Sequence, residues 1–395
     1  MKVLLNDGMD EEGVELFNEA GIEVDLEKKS RSELIEKIGE YDALIVRSQT
    51  KDVNSEIIVP GYKGNLKMIG RSGVGYDNID WEFAKEQAIV VKNAPNGVTN
   101  ATAEMALGIM LGVARNIPQA DASLKDGKWL KKLYTGVELS YKTLGVFGGG
   151  RIGKRLIKLV EGFGMKIICC DPFSQKDTSI SYVSKEEVLK NADFLSIHAA
   201  GDEVLIGRDE LEIMKPTAYL VNTARGNKVD PEALYDALAN KRIAGAALDV
   251  HMIEGSSFKN KFEGLDNLVI TPHLGASTKK GQRATAIEMA KVTIGYLKKG
   301  DFTNAVNMGD TIDSEQKPSY IVFIHHEDIP GVFSKIDGVF GDHGINIREF
   351  NSRKLYEDGA EGKKCALTDY LLQNEVTNQV IEKIREIPTV YSAKI

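Results

Sequence analysis

Residues 143–171 constrain the fold of this chain more than any other stretch. They begin with an apolar run typical of a buried strand, continue with Gly-Gly-Gly-Arg-Ile-Gly at positions 148–153, and end on a second apolar run. In the G-x-G-x-x-G pattern, Gly148 permits a tight turn, Gly150 lets the backbone approach a pyrophosphate, and Gly153 lets helix and strand pack closely. The helix that follows presents free N–H groups to phosphate oxygens. The pattern therefore predicts a dinucleotide-binding βαβ unit.

An acidic residue stands where such a unit needs one. Asp171 comes eighteen residues after Gly153, at the end of the second predicted strand. Its carboxylate can accept hydrogen bonds from an adenosine ribose and would repel a 2′-phosphate, so the sequence favours NAD over NADP. Glycine-rich turns alone are common in α/β proteins and would be weak evidence. The combination of a strand, a helix, a second strand and an acidic residue favours dinucleotide binding over a purely structural turn.

Composition excludes several classes of function. The chain has 395 residues, enough for two or three domains, and its 42% hydrophobic and 27% charged residues are ordinary for a globular protein. The net charge of −8 argues against a nucleic-acid partner. No apolar run reaches the length of a membrane span, and no metal site is predicted. Three cysteines and no recognisable signal peptide predict a reduced, cytoplasmic setting.

Strand and helix patterns predict three domains. The first is a small, doubly wound α/β unit of flavodoxin type without a dinucleotide fingerprint, to which a later helix returns. The second is a Rossmann-type NAD-binding domain. The last is a ferredoxin-like α+β block with the order strand, helix, strand, strand, helix, strand. The predicted boundaries are 1–92 and 277–305 for the substrate-binding domain, 93–276 for the NAD-binding domain, 306–318 for a linker, and 319–395 for the last domain.

Three charged residues follow successive strands of the predicted Rossmann sheet: Arg225, Glu254 and His273. The carboxyl ends of such strands face the cofactor crevice, so these side chains should converge beside the nicotinamide. The trio suits oxidation of a 2-hydroxy acid. Arginine binds the carboxylate and keto oxygen, imidazole takes the hydroxyl proton as hydride leaves, and glutamate orients the imidazole and favours its protonated form.

Each of these residues also has a structural interpretation. Arg225 could form a surface ion pair, and Glu254 could be an ordinary loop acid. His198 and His251 also lie near the crevice in the sequence, but His198 could line the adenosine side and His251 could serve packing. His273 is favoured as the catalytic histidine because its position at a strand end matches the role.

Taken together, the motifs resemble those of NAD-dependent D-2-hydroxyacid dehydrogenases, and within that family the branch of D-3-phosphoglycerate dehydrogenases. The resemblance covers essentially the whole chain. It implies oxidation of 3-phospho-D-glycerate to 3-phosphohydroxypyruvate with NAD, the first step of L-serine biosynthesis. A dehydrogenase for an unphosphorylated 2-hydroxy acid such as glycerate or glycolate is the alternative. A non-enzymatic regulator that senses NAD is disfavoured by the intact trio. The motifs lie at 70–80, 125–129, 148–153, 171–172, 222–226, 249–254 and 272–276.

The resemblance also implies roles for individual residues. Arg225, Glu254 and His273 would be catalytic. The implied cofactor contacts are Val74, Gly148, Gly150, Arg151, Ile152, Gly153, Asp171, Thr223, Ala224, Asp249, Gly275 and Ala276, with Asp249 on the nicotinamide carboxamide. The implied substrate contacts are Arg47, Ser48, Arg71, Gly73, Val74, Gly75 and Lys131. Lys131 would reach the site from the partner subunit of a homodimer formed through the helix region 101–115, although a solvated helix face explains it equally well.

The last block resembles ACT domains, which regulate amino-acid metabolism. By that resemblance His326, Asp328 and Asn346 would bind an amino-acid effector, and ACT domains would join dimers into a tetramer. Serine-inhibited relatives carry asparagine where this chain has Asp328, which can only accept hydrogen bonds and would repel the serine carboxylate. We therefore expect weak or absent inhibition by serine. An ACT domain that only dimerises is the alternative.

Three departures from the family concern loop shape. Gly255 replaces the proline that usually follows the catalytic glutamate, and the loop from Glu254 to His273 is a few residues short. The segment 198–200 also lacks a proline that often follows its histidine. None of these departures removes a catalytic group.

Overall fold

The computed structural model describes residues 1–173, 178–307, 320–355, 365–374 and 376–394. It divides into two compact units, one made of Met1–Pro95 with Arg283–Ile395 and the other of Asn96–Gln282. Most of the predicted linker, residues 306–318, lies outside the described residues, as does Ile395 at the end of the last predicted strand. The division into substrate-binding, NAD-binding and C-terminal domains therefore stays a prediction.

A five-stranded parallel sheet with the order β2-β1-β3-β4-β5 lies in the first unit. Its central strands are buried on both faces, which explains why they are continuous runs of Val, Ile and Leu rather than alternating patterns. Apolar runs at residues 3–5, 22–24, 43–46, 68–69 and 89–91 predict these strands to within two residues. The elements are β1 (Lys2–Leu5), α1 (Glu11–Glu19), β2 (Glu23–Asp25), α2 (Arg31–Lys37), β3 (Ala43–Val46), α3 (Ser55–Lys63), β4 (Met68–Arg71), α4 (Trp81–Glu86) and β5 (Val90–Asn93).

A capping box opens α2, and the sequence predicts it because Glu33 follows Ser30 by three residues. The Ser30 side chain accepts a hydrogen bond from the Glu33 backbone N–H, and the Glu33 carboxylate accepts the Ser30 N–H at 2.8 Å. Each bond satisfies a backbone donor that the first turn of a helix leaves unpaired, which stabilises the start of the helix at this residue.

The second unit contains a six-stranded parallel sheet with the order β11-β10-β9-β8-β6-β7. Strand order reverses between β6 and β8, and the glycine-rich loop follows β6 at this switch point, where α/β sheets bind ligands. The elements are α5 (Thr99–Ala114), α6 (Ile117–Lys125), β6 (Thr143–Phe147), α7 (Arg151–Val160), β7 (Lys166–Cys170), α8 (Lys185–Asn191), β8 (Phe194–Ile197), α9 (Arg208–Ile213), β9 (Tyr219–Asn222), α10 (Pro231–Ala239), β10 (Gly245–Leu248) and β11 (Leu268–Ile270).

Two helices of the second unit bear on the predictions. The helical pattern of the sequence starts at Lys154, but α7 begins three residues earlier at Arg151, because Gly150 is its extended N-cap. The almost uncharged sequence of residues 99–115 predicts a buried helix, and α5 is buried over most of its length. Met110 and Val113 pack in one cluster with Leu156 of α7. A helix without a polar face has to be covered in this way.

The long helix α11 (Lys279–Lys299) completes the core of the first unit. Met289, Ala290 and Tyr296 belong to one hydrophobic cluster with Val3 and Ile45 of the parallel sheet. The first unit is therefore built from two separate segments of the sequence, and neither segment buries its apolar surface without the other.

The last part of the chain forms a four-stranded antiparallel sheet with the order β13-β14-β12-β15. The predicted succession of strands and helices is confirmed. The sequence predicts a strand over residues 346–351 here, but the edge strand β13 runs to Leu355, because its polar residues continue to pair with β14. The elements are β12 (Tyr320–Glu327), α12 (Val332–Asp342), β13 (Ile347–Leu355), β14 (Cys365–Leu372), α13 (Asn378–Arg385) and β15 (Val390–Lys394).

Within the described ranges, no helix combines the length and apolar character needed to cross a membrane.

Candidate active site

A carboxylate and an imidazole meet at one edge of the six-stranded sheet. Glu254 lies in the loop after β10, and His273 lies in the loop after β11. The Nδ1 atom of His273 is 2.8 Å from Oε2 of Glu254, and the two side chains are 39% and 36% exposed. One ring nitrogen is thus tied to the carboxylate. The other, Nε2, is the atom that can exchange a proton with a substrate.

Glu254 carries its charge in this arrangement. Burial acts to raise the pKa of the carboxyl, but the hydrogen bond and charge of His273 and the backbone N–H of His251 together hold that pKa below its ordinary value. The His251 N–H donates to Glu254 Oε1 at 3.1 Å. A charged carboxylate at Nδ1 orients the ring and fixes the imidazole tautomer.

Asp249 holds the loop that carries His273. Its buried carboxylate accepts the hydroxyl of Thr271 at 2.6 Å and the N–H of Leu274 at 2.8 Å on Oδ1, and the N–H of Gly275 at 2.7 Å on Oδ2. His273 itself has φ of +56°, a left-handed value that costs energy for a residue with a Cβ. Asp249 therefore has a positioning role that the sequence argument did not foresee.

The loop after β9 carries Arg225. The Asn222 side chain accepts the Ala224 N–H at 3.0 Å and donates to the Arg225 carbonyl at 2.8 Å, which closes a turn at the end of the strand. Gly226 packs on the backbone of His251, so that an added Cβ would lie 2.1 Å from the His251 carbonyl carbon. The Arg225 loop is thus in contact with the segment that leads to Glu254.

Two further histidines have structural partners. His251 Nε2 lies 2.9 Å from the Thr271 carbonyl oxygen, and its ring packs edge-on against Phe258 at 5.0 Å between centroids. His198 Nε2 lies 2.8 Å from Ser196 Oγ, and burial lowers the pKa of this imidazole to about 4. His198 is therefore neutral at pH 7 and is a poor proton carrier there.

The glycine-rich loop combines close packing with open space. Gly148 has φ of +95°, and an added Cβ would lie 2.7 Å from the backbone of His198 and Ala199. At Gly153 an added Cβ would lie 2.1 Å from the Gly148 carbonyl oxygen. Around Gly150, by contrast, no described atom lies within 4 Å of such a Cβ. Two glycines thus permit packing, and the third leaves room for a ligand.

Other features near this loop fit a dinucleotide. The Asp171 carboxylate accepts the N–H of Gly149 at 2.7 Å and that of Phe173 at 2.8 Å, and a carboxylate offers about four acceptor sites for hydrogen bonds. Arg151 and Ile152 form the first turn of α7, whose N-terminus has no side-chain cap among the described residues. The buried Oγ1 of Thr223 has no hydrogen-bond partner there either. These groups suit phosphate and hydroxyl ligands.

Predicted substrate residues lie in two strand-end loops of the first unit. Ser72 donates its N–H to the Val46 carbonyl at 2.9 Å, which ties the loop after β4 to β3. Arg71 Nη1 donates to the Ser72 carbonyl at 3.0 Å. An added Cβ at Gly73 would lie 1.7 Å from that Nη1 atom, so only glycine allows this position of the guanidinium. Arg47, Ser48, Val74 and Gly75 lie in the same two loops.

The other predicted residues have varied surroundings. Lys131 is exposed in a short 3-10 helix, Lys131–Tyr134. His326 is buried, with Nδ1 2.8 Å from the Glu327 carbonyl oxygen and Nε2 2.8 Å from Thr368 Oγ1. Asn346 is exposed and donates to Gln373 at 2.7 Å, while Asp328 is half-buried. An effector could hydrogen-bond to His326 Nε2 only by replacing Thr368.

Gly255 explains one departure from the family pattern. It has φ of +80°, and proline is locked near −65°, so the backbone after Glu254 follows a path that proline cannot take. The described residues contain no group of three His, Cys, Asp or Glu side chains that could hold a metal ion.

Comparison with known proteins gives consistent matches. The family model for the D-isomer specific 2-hydroxyacid dehydrogenase NAD-binding domain matches residues 107–275. A D-3-phosphoglycerate dehydrogenase from Archaeoglobus fulgidus is 41% identical over 316 residues, which are 78% of this chain and 59% of that relative. The chain thus spans less than two thirds of the length of this relative.

Shorter relatives are covered almost completely. A hydroxypyruvate reductase from Thermotoga maritima is 42% identical over 297 residues, which are 73% of this chain and 96% of the relative. The solved structure of the TT0316 protein from Thermus thermophilus matches with a TM-score of 0.69 and 32% identity, over 75% of this chain and 97% of that one. This chain therefore belongs to the D-isomer-specific 2-hydroxyacid dehydrogenase family and carries its NAD-binding domain.

Proposed function

We propose that this protein oxidises 3-phospho-D-glycerate to 3-phosphohydroxypyruvate with NAD, the first step of L-serine biosynthesis. The contact between His273 and Glu254, at strand ends of the family's NAD-binding domain, is the observation that carries the proposal. Relatives named D-3-phosphoglycerate dehydrogenase, 41% and 42% identical over 78% of this chain, favour the phosphorylated substrate.

In the proposed reaction each side chain has one task. Arg225 binds the substrate carboxylate and keto oxygen through its planar fork of donors. His273 accepts the hydroxyl proton on Nε2 while the hydrogen on the same carbon leaves as hydride. Glu254 stabilises the imidazolium that results, because its carboxylate is already hydrogen-bonded to Nδ1. NAD, when bound, supplies the hydride acceptor.

Phosphate recognition is assigned to cations of the first unit, Arg47 and Arg71. Arg47→Ala is expected to raise KM for 3-phosphoglycerate by about tenfold or more, because a hydrogen bond to a charged group is lost. KM for glycerate, which has no phosphate, should change far less. Initial rates of NADH formation with the two substrates measure this. An equal rise for both would show that Arg47 does not bind the phosphate.

An unphosphorylated 2-hydroxy acid is the second candidate substrate. The 42% identity to a hydroxypyruvate reductase of which the chain covers 96% favours it. Comparing kcat/KM for 3-phosphoglycerate and glycerate in the unmodified protein decides between the two candidates.

Asp171 is proposed to select NAD over NADP. Asp171→Ala should weaken NAD binding by about tenfold, since hydrogen bonds between a charged group and the ribose hydroxyls disappear. It should also reduce the preference of the enzyme for NAD over NADP, because the repulsion of a 2′-phosphate disappears with the charge. The ratio of kcat/KM for NAD and NADP is the measurement. An unchanged ratio would contradict this role.

The proposed partner is a second copy of the chain. Large apolar side chains are exposed around the predicted interface helix and the segment that follows it, and Trp129 is 79% exposed. Such side chains are typical of protein interfaces. The dimer would use the region 101–115 and bring Lys131 to the substrate of the partner, and the C-terminal domains would form tetramers. The cysteines are free, in keeping with the proposed cytoplasmic setting.

The C-terminal sheet is proposed to be an ACT domain that binds an amino-acid effector near Asp328 and Asn346. L-Serine should inhibit weakly or not at all, because Asp328 repels its carboxylate and His326 is already hydrogen-bonded within the domain. Titration of L-serine against activity and against heat of binding tests this expectation. Strong inhibition with tight binding would overturn it.

A further inference from the structure

The loop of residues 47–50, which follows β3 and carries Arg47, is held by a buried carboxylate. The side chain of Asp7 is 1% exposed, and its Oδ2 accepts the N–H of Arg47 at 2.7 Å and the N–H of Thr50 at 3.0 Å. Its Oδ1 accepts the Thr50 hydroxyl at 2.8 Å. One side chain thus binds the first and the last residue of the loop.

A second side chain holds the loop through its carbonyl groups. Asn78 Nδ2 donates to the Arg47 carbonyl at 2.9 Å and to the Thr50 carbonyl at 2.6 Å. Asn6 Nδ2 donates to the Thr50 hydroxyl at 2.9 Å. The N–H and the C=O of both end residues are therefore fixed by side chains from outside the loop.

These bonds account for the burial of a charged group. A carboxylate removed from water is costly unless hydrogen bonds replace the water. Lys28 is the nearby cation, but its Nζ lies 3.9 Å from Asp7 Oδ1 and its side chain is 62% exposed, so it offers little compensation. The compensation comes from the loop itself, through hydrogen bonds to a charged acceptor, which are stronger than neutral ones.

The side chain of Arg47 has a different environment from its backbone. It is half-buried, and within the described part of the chain its guanidinium has no hydrogen-bond or ion-pair partner. A guanidinium whose backbone is already fixed loses less conformational freedom when it binds an anion. An unpaired guanidinium on a fixed backbone is what a preformed phosphate contact requires.

We infer that Asp7 is a positioning residue for phosphate specificity, which fixes the loop 47–50 so that Arg47 can bind the substrate phosphate. The inference rests on the proposed function, because it needs Arg47 to contact that phosphate. Asp7 acts through Arg47 and does not touch the reacting atoms. Its loss should therefore appear in KM for the phosphorylated substrate rather than in kcat.

Asp7→Ala and Asp7→Asn, made in the full chain, test this role. Asp7→Ala should raise KM for 3-phosphoglycerate about tenfold, as expected when hydrogen bonds to a charged group are lost, and should raise KM for glycerate much less. Asp7→Asn should restore most of the affinity, because the amide oxygen still accepts both N–H groups and the Thr50 hydroxyl can accept from the amide. Lys28→Gln is the matched control and should change KM less than about twofold.

A double-mutant cycle separates positioning from general damage. If Asp7 acts through Arg47, then Asp7→Ala added to Arg47→Ala should cause little further rise in KM for 3-phosphoglycerate. The Kd of 3-phosphoglycerate, measured by calorimetry in the presence of NADH, compares the single and double variants without turnover. Additive effects of the two substitutions would overturn the inference.

The outcomes also separate this inference from the proposed function. The decisive quantity is the ratio of KM for 3-phosphoglycerate to KM for glycerate. If Asp7→Ala leaves this ratio unchanged while Arg47→Ala raises it, the inference is overturned and the proposed function stands. An unchanged ratio in Arg47→Ala removes the phosphate contact on which the inference rests. The proposed function fails only if the unmodified protein does not prefer 3-phosphoglycerate to glycerate. If Asp7→Ala does not fold, Asn78→Ala releases the loop from its other side, and an unchanged ratio there overturns the inference equally.

Discussion

Replacement of His273 by alanine is expected to lower kcat by about two to four orders of magnitude, the usual contribution of general acid–base catalysis. The imidazole is the group hydrogen-bonded to Glu254, and its Nε2 is the proposed proton acceptor. NADH should still bind, because the glycine-rich loop and Asp171 follow β6 and β7, whereas His273 follows β11. Single-turnover rates and titration of NADH fluorescence measure the two quantities separately.

Glu254→Gln is the companion variant. The pKa of Glu254 lies below its ordinary value, so the carboxylate is charged throughout the neutral range. Without that charge the imidazolium that forms during hydride transfer is less stabilised, so kcat for oxidation should fall while the Kd of NADH stays unchanged. Near-normal turnover in His273→Ala or in Glu254→Gln would remove that residue from the mechanism.

Gly226→Ala is expected to lower kcat/KM by about a hundredfold, the scale of a misplacement of a reacting group by about 1 Å. An added Cβ would lie 2.1 Å from the carbonyl carbon and 2.2 Å from the carbonyl oxygen of His251. Either the Arg225 loop or the His251 segment has to move. His251 also donates its N–H to Glu254, so the displacement reaches both sides of the site.

The effect of Gly226→Ala should be steric, because Gly226 is not among the residues with positive φ. Gly162→Ala is the control in the same unit, since no described atom lies within 4 Å of its added Cβ. The control should keep normal kinetics, and the thermal unfolding midpoint of Gly226→Ala should show a folded protein. If Gly226→Ala kept full kcat/KM, the packing on His251 would not be what positions Arg225.

Much of the fold was predictable from local patterns. Buried parallel strands are short apolar runs, and the runs at residues 194–197, 245–248 and 268–270 coincide with β8, β10 and β11. The capping box at Ser30 and the glycines at 148–153 mark helix and loop boundaries through chemistry confined to a few neighbouring residues. Strand boundaries were less well predicted where backbone pairing with a neighbouring strand, rather than an apolar pattern, sets the length of the strand. The polar end of β13, which pairs with β14, is an example.

The candidate catalytic residues were predictable for a similar reason. Their positions follow strand ends, and the topology of a parallel sheet brings those ends to one edge. The contact of His273 with Glu254 agrees with that expectation. Local sequence does not reveal that Asp249 supports the His273 loop, because its hydrogen bonds depend on how that loop turns back towards β10.

The sequence by itself determined the alternation of strands and helices, the dinucleotide fingerprint and the residue types suited to hydride transfer. Those signals lie within short segments, where the spacing of residues along the chain is enough to meet the physical requirement of a strand, a helix or a phosphate-binding turn. Only the tertiary structure decided that Asp7 and Asn78 hold the Arg47 loop, that Gly226 packs on His251, and that His326 is buried. Each of these depends on groups distant in sequence, whose contact follows from how the chain packs rather than from local spacing.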